Sequence, residues 1–432
     1  MALPDPVIVI PGITANYLFD NYPLPPDDIW TVLSLNYERA GLHPDDTRYE
    51  ATEPALVRPG QLYEIAYKEL VDELRHNLAP SSDQPVPVFP FSLDWRQPLE
   101  TIEPQLRAFV DEVIARTALL PHYAKDKYAQ RGTVSLVGHS MGGIHIAGYL
   151  EHYKKDSKVA KVATLASPFK GSFEAVIKIT TGTANLGATP PSSREREAAR
   201  ITPALYYILP RVPDGIQVDP GLPDSLFDPR AWQTSILRTI EEYIRLHGTS
   251  QRNRPQQAAQ LFARFLSDAK AHRDRIEAFR LDQAGLAAKD WLCVVGVDST
   301  TRVHLQIVKL PDGTADFRFH SEDRDNKWSS KTQKERVFTG DGTVPFLGAV
   351  PSFLGLENLV CVTPDDFGYW EVQDKLTTQI AGFHGILPNM DMLHRLIVRH
   401  LTGSPDTHEN TWGRRAPGVK TWQPAVQPLK EK

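Results

Sequence analysis

Six short runs of β-branched and apolar residues, separated by stretches of helical periodicity, set the widest constraint on how this chain can fold. They are PVIVI at 6–10, VPVFPF at 86–91, TVSLV at 133–137, KVATLA at 161–166, WLCVVGVD at 291–298 and NLVCVT at 358–363. These runs lack the polar–apolar alternation of a strand with one wet face, so they predict strands covered on both sides. Between them, 61–78, 99–120, 141–154 and 389–402 repeat apolar residues at helical spacing. Strand–helix alternation of this kind predicts an α/β fold with a doubly wound, mostly parallel sheet. In the final helix, Asn389 or Asp391 is the expected N-cap and Gly403 the stop.

Two segments interrupt the rhythm. Residues 17–60 read as a loop-rich excursion with Tyr17, Phe19, Tyr22 and Trp30 set among prolines. Residues 172–290 read as a helical cap inserted between 1–171 and 291–402, which together make the core. The cap opens on a small, polar, charged stretch that reads as a mobile loop. Ile236, Ile240, Tyr243 and Ile244 then recur at helical spacing, as do Leu261, Phe262, Phe265 and Leu266 after Pro255; both stripes read as packing faces rather than ligand sites. HLQIV and DFRFH, joined by Pro311-Asp312-Gly313, predict a β-hairpin within 302–320. Residues 403–432 read as a weakly packed tail.

Composition excludes several classes. Of 432 residues, 41% are apolar and 23% charged, enough for a large core and against global disorder. The formal net charge is −5 and no long basic block occurs, which argues against a nucleic-acid partner. Cys293 and Cys361, the two cysteines, allow one disulfide and exclude a cysteine-rich zinc site. The opening MALPDPVIVIPG lacks a positive leader region, and no run of about 18 apolar residues occurs. These features predict a soluble, cytoplasmic protein. No HExxH, GxGxxG or P-loop pattern is present, and no metal or cofactor is expected. His320, Asp323 and Asp325 read as a solvated charged loop.

Chemistry concentrates at Gly138-His139-Ser140-Met141-Gly142, a G-x-S-x-G turn with a strand before it and a helix after. A tight strand-to-helix turn exposes the serine hydroxyl, and small residues at 138 and 142 permit the close packing it needs. The helix N-terminus behind Ser140 offers free amides to a developing oxyanion. Serine needs a base, and the base needs an orienting acid. His384, in a loop before the final helix, is the expected base. His139 is expected to point away from the hydroxyl, His145 to be structural, and His394 and His400 to lie at the surface. Asp298, ending an apolar strand, and Asp341, in GDGTVP at 340–345, both suit the acid. The loop after the first strand, residues 10–14, suits the second oxyanion donor, pairing the amide of Ile13 with that of Met141.

Seven motifs in order then carry a resemblance: VIVIPGI at 7–13, FSLDWR at 91–96, LVGHSMGG at 136–143, LASPFKGS at 165–172, LYYILP at 205–210, GDGTVP at 340–345 and FHGILPNMDM at 383–392. Together they are similar to the lecithin:cholesterol acyltransferase family of α/β-hydrolases, which includes lysosomal phospholipase A2-type enzymes and bacterial relatives. The resemblance implies Ser140 as nucleophile, Asp341 as acid, His384 as base, and Ile13 and Met141 as oxyanion donors. It places Gly12, Asp94, Trp95 and Arg96 at the substrate site, although an Asp–Arg pair and a bracing Trp explain the last three equally. It implies a lipid or other carboxylic ester as substrate. Tyr17, Phe19, Tyr22 and Trp30 allow peripheral membrane contact, although packing against the cap is the favoured reading for them. Secreted members close a disulfide loop in the early region; residues 17–60 contain no cysteine. An intracellular lipase or esterase is therefore expected. An amidase, lactonase or thioesterase on the same fold, or a non-catalytic binding protein, stays open at this point.

Overall fold

A computed structural model describes residues 3–21, 24–31, 57–182, 193–248, 250–319, 324–325, 339–368, 371 and 382–432. Strand β1 (Val7–Ile10) leads into β2 (Asn16–Asp20), β3 (Asp27–Trp30) and β4 (Val57–Leu62), then helix α1 (Glu64–Asn77). Next come β5 (Val88–Pro90), α2 (Leu99–Ala118), β6 (Val134–His139), α3 (Met141–Tyr153) and β7 (Val159–Leu165). Helices α4 (Phe173–Thr181) and α5 (Ser193–Arg200), strand β8 (Ile216–Val218), and helices α6 (Ser235–His247) and α7 (Arg254–Ala278) follow. The rest is β9 (Trp291–Gly296), β10 (Leu305–Lys309), β11 (Ala315–Arg318), β12 (Leu359–Val362) and α8 (Asp391–Thr402).

The six apolar runs form one sheet in the order β12-β9-β7-β6-β1-β5, with every neighbouring pair parallel. Val9 registers with Val137, Leu136 with Val162, Ala163 with Leu292 and Val294 with Val360. Alternate residues face opposite layers, as a pleated strand requires. Ile8, Ile10 and Leu136 pack with Ile102, Ile144 and Phe262 of α2, α3 and α7. Val7, Val9 and Val137 pack with Tyr67 and Leu70 of α1 and Leu396 of α8. Each fully buried Val or Ile contributes about 1.5–3 kcal/mol, so helices on both faces are the stable solution for such runs. This is the doubly wound α/β-hydrolase arrangement.

The early excursion departs from the loop expected of it. Asn16–Asp20 pairs antiparallel with Asp27–Trp30 on one side and Val57–Leu62 on the other, giving a small three-stranded sheet. Alternation of buried Leu18 with partly buried Tyr17 and Phe19 is the strand signal that the prolines obscured. Trp30 is buried edge-on against Trp95, their ring centres 4.9 Å apart. Tyr22 lies outside the described residues.

In the 172–290 stretch, Ile236, Ile240 and Ile244 of α6 and Leu261, Phe262, Phe265 and Leu266 of α7 are all buried, as packing faces should be. The hairpin forms with Gln306 opposite Arg318, but β10 also runs parallel to β8, Leu305 registering with Ile216. It therefore extends the 172–290 segment rather than the central sheet.

The 403–432 segment packs firmly, against expectation. Cys361 and Arg414 exchange backbone hydrogen bonds of 2.9 and 3.0 Å, so this segment covers the open edge of β12. Trp422 Nε1 donates to the Leu359 carbonyl at 2.7 Å, and Asp366 accepts from Trp412 Nε1 at 2.9 Å and pairs with Arg414 and Lys432. Cys293 and Cys361 are both buried, on adjacent strands, and are not joined by a disulfide. Among the described residues no helix is long and apolar enough to cross a membrane.

Candidate active site

Ser140 sits between β6 and α3 with φ 54° and ψ −127°, a conformation that non-glycine residues avoid. The turn is held by the Ser140 amide donating to the Leu165 carbonyl at 2.9 Å and Gly143 donating to Ser140 O at 3.1 Å. No side chain fits at the two elbow glycines: a Cβ on Gly138 would lie 2.7 Å from Ile146 Cδ1, and one on Gly142 would lie 2.3 Å from the Ile10 carbonyl. Met141 is the first residue of α3, so its amide belongs to the helix turn whose donors have no intrahelical partner. The loop after β1 comes alongside, close enough that a Cβ on Gly12 would sit 2.9 Å from Ser140 Cβ. Ile13 follows it.

His384 meets Ser140 and Asp341 at once. Its Nε2 lies 2.9 Å from Ser140 Oγ and its Nδ1 lies 2.7 Å from Asp341 Oδ2. Asp341 is buried, and its other oxygen accepts from the amides of Thr343 at 2.9 Å and Val344 at 2.7 Å. That leaves one oxygen for the imidazole. Asp298 does not make this contact; it takes φ 67° as the chain leaves β9, and its amide donates to Thr339 Oγ1. Ser299 bridges to both Gly340 and Asp341, which brings GDGTVP back to the end of β9. Both aspartates thus sit at the carboxyl edge of one strand, which is why spacing favours Asp341 without excluding Asp298.

Two of the other histidines, His394 and His400, depart from expectation. His139 does turn from the serine hydroxyl, but into a hydrogen-bonded line: its Nδ1 lies 2.8 Å from Tyr67 Oη and its Nε2 lies 2.9 Å from the His384 carbonyl. Burial first, and the neighbouring His384 second, hold its pKa well below the ordinary histidine value. His394 and His400 are buried, not exposed, bonding the carbonyls of Pro388 at 2.7 Å and Val162 at 3.0 Å. The final helix is amphipathic, but its apolar face is wide enough to include them. Its cap position falls to Met390, while Asn389 Nδ2 donates to the Ile65 carbonyl. His145 is buried on α3 with neither ring nitrogen partnered among the described residues, and burial pushes its pKa down to about 3.

At the expected substrate positions, Asp94 and Arg96 engage each other. Arg96 Nε and Nη2 donate to the two Asp94 oxygens at 2.8 Å each. Burial opposes the Asp94 charge, but the guanidinium outweighs it and holds the carboxyl below its ordinary range. Trp95 lines a cleft with Ile13, Thr14, Trp30, Ala199 and Leu205, and its indole N–H has no hydrogen-bond partner among the described residues. The small residues of α5 that open this cleft, Ala198 and Ala199, carried no distinguishing signal in the sequence. His320 and the side chains of Asp323 and Asp325 lie outside the described residues, as do 183–192 of the loop expected to be mobile. Among the described residues no three His, Cys, Asp or Glu side chains gather as a metal site.

The sheet thus carries a strained serine at a central strand-to-helix turn, with a histidine–carboxylate pair beside its hydroxyl. The lecithin:cholesterol acyltransferase family model matches residues 61–249, so over this stretch the chain is similar to the family that its motifs resemble. No curated protein matches. Among solved structures, a chain from the crystal structure of the Tle4–Tli4 complex is 15% identical, with a TM-score of 0.48; the match covers 81% of this chain and 89% of that one.

Proposed function

We propose that this protein is a serine-dependent acyl hydrolase or acyltransferase acting on a lipid or other carboxylic ester. One observation carries the reading: the line from Ser140 Oγ through the His384 ring to Asp341, with steps of 2.9 and 2.7 Å. In this mechanism His384 Nε2 takes the hydroxyl proton as Ser140 Oγ attacks the ester carbonyl carbon. Asp341 keeps the Nδ1–H tautomer in place and stabilises the imidazolium. The amides of Ile13 and Met141 hold the oxyanion, a contribution of about 2.7–4 kcal/mol for each such donor. The alcohol leaves with the proton from His384, and water or a second alcohol then releases the acyl group from Ser140.

The cleft beside Ile13 is the proposed seat of the acyl chain, with Trp95 as one wall and the Asp94–Arg96 pair bracing the loop that carries it. Residues 172–290 are proposed to act as a cap over this cleft. The test is turnover of p-nitrophenyl esters from short to long chains, wild type beside Ser140→Ala, with matched amides and thioesters. Ester turnover by wild type alone supports the reading. Activity surviving in Ser140→Ala removes the nucleophile, and preference for amide or thioester changes the reaction class.

A further inference from the structure

His384 is held by its backbone as well as by its ring. Its N–H donates to the Asp341 carbonyl at 3.0 Å, and its own carbonyl faces His139 Nε2 at 2.9 Å. His139 continues through Nδ1 to Tyr67 Oη at 2.8 Å, and Tyr67 Oη accepts the Gly12 amide at 2.9 Å. Tyr67 and His139 are buried, at 2% and 5% exposure. Proton counting orients the line. A carbonyl only accepts, so His139 Nε2 must carry the hydrogen. Nδ1 of the neutral ring is then an acceptor, which Tyr67 Oη supplies with its single proton while accepting from Gly12. Every donor and acceptor is used once, and the order is Gly12 N–H to Tyr67 O–H to His139 to His384 C=O.

We infer that Tyr67 and His139 are positioning residues that fasten the loop after β1 to the loop bearing His384, setting the distance between the Ile13 amide and the His384 ring. This inference rests on the proposed acyl chemistry. The two loops come from opposite ends of the described chain, and the reaction needs the oxyanion donor and the base on the same carbonyl at once. A neutral relay suits the task, since a charged His139 would make Nδ1 a second donor pointed at the tyrosine hydroxyl. Depression of the His139 pKa by burial and by His384 agrees with that neutrality. The line touches no reacting atom. Its effect passes through backbone position, so it should act on kcat more than on KM.

The experiment compares wild type, Tyr67→Phe, His139→Phe, His139→Gln and the Tyr67→Phe/His139→Phe double variant. The readouts are kcat, KM, thermal unfolding, and NMR of protein labelled with 15N-histidine. Tyr67→Phe and His139→Phe are expected to lower kcat about tenfold to a hundredfold with KM nearly unchanged. The double variant should be no worse than the poorer single one, because both break the same line. His139→Gln, whose amide can still donate to the His384 carbonyl, should recover much of the loss. The His139 ring should show the Nε2–H tautomer in wild type and keep it in Tyr67→Phe, where only the Nδ1 resonance should shift as it loses the hydroxyl that donates to it.

Full kcat in a folded Tyr67→Phe protein overturns the inference, as does a drop that merely follows lost thermal stability and that His139→Gln does not rescue. If wild type turns over no ester and Ser140 resists fluorophosphonate labelling, the acyl reading fails separately. The NMR then decides alone: an Nε2–H tautomer whose Nδ1 resonance shifts in Tyr67→Phe supports the relay, and an Nδ1–H tautomer or an Nδ1 resonance indifferent to Tyr67 overturns it.

Discussion

Gly296 and Asp341 stand so close that a Cβ on the glycine would come 2.6 Å from the Asp341 Cβ. Gly296 ends β9, and the returning GDGTVP loop lays its carboxylate directly across that point. Only a hydrogen atom fits between them. Gly296→Ala should push Asp341 away from His384 and lower kcat about a hundredfold in a folded protein. Steady-state kinetics on a short ester, with thermal unfolding alongside, checks this; an unchanged kcat would mean that the loop yields without moving the carboxylate.

The two aspartates at the end of β9 are separable by substitution. Asp341→Asn, with its carbonyl held by the Thr343 and Val344 amides, turns an N–H toward His384 Nδ1 and favours the wrong tautomer, and it should reduce kcat by about 10⁴-fold. Asp298→Asn, which leaves the His384 contact intact, should stay within about threefold of wild type. Measuring both on one ester decides between them. The reverse ranking would move the acid to Asp298.

Chain-length preference should follow the cleft. Ala199 of α5 lines it together with Ile13 and Trp95. Ala199→Phe fills that space, and the ratio of kcat/KM for long over short acyl esters should fall at least about tenfold, since each methylene in such a pocket already counts for that much. Equal losses for all chain lengths would place the acyl chain elsewhere.

Asp366 gives the 403–432 segment a pH-dependent hold. Burial opposes its charge, but the Arg414 hydrogen bond and charge, with the Thr363 amide, keep its carboxyl below the ordinary range. A depressed folded pKa means that the unfolded chain takes up the proton first as pH falls. The stabilisation is therefore complete above about pH 4 and is lost as pH drops through the folded value. Asp366→Asn should cost about 3 kcal/mol at neutral pH, because it leaves Arg414 without its buried partner. Urea unfolding across a pH series should show the gap from wild type closing below about pH 4. A gap independent of pH would assign Asp366 the part of a neutral acceptor.

The strands and main helices were legible because continuous apolar runs admit few other solutions, and the elbow was legible because its glycines, strand and helix agree. Sequence pattern failed where long-range pairing decides. The early strands are short, and their partner at 57–62 lies well beyond the prolines that suggested loop. The tail has little apolar periodicity of its own; it is ordered by the β12 edge that it covers. His139 reads only as turned from the hydroxyl, because a bond from its ring to a distant backbone carbonyl leaves no trace in sequence. Tyr67 carried no motif at all: one tyrosine on the apolar face of α1 looks like any other core residue until its hydroxyl is seen between Gly12 and His139.

The groups around the serine come from residues 12, 140, 341 and 384, so no fragment of the chain short of nearly its full described length contains them all. During synthesis the strained elbow can form long before its base exists. On the proposed reading a partly made chain on the ribosome carries an inert serine, and any power to cut esters switches on only when the loop at 384 has emerged and found its place. Proteolytic clipping runs the same logic backward: one cut that frees the segment beyond Gly355 would silence the protein while leaving most of its sheet standing.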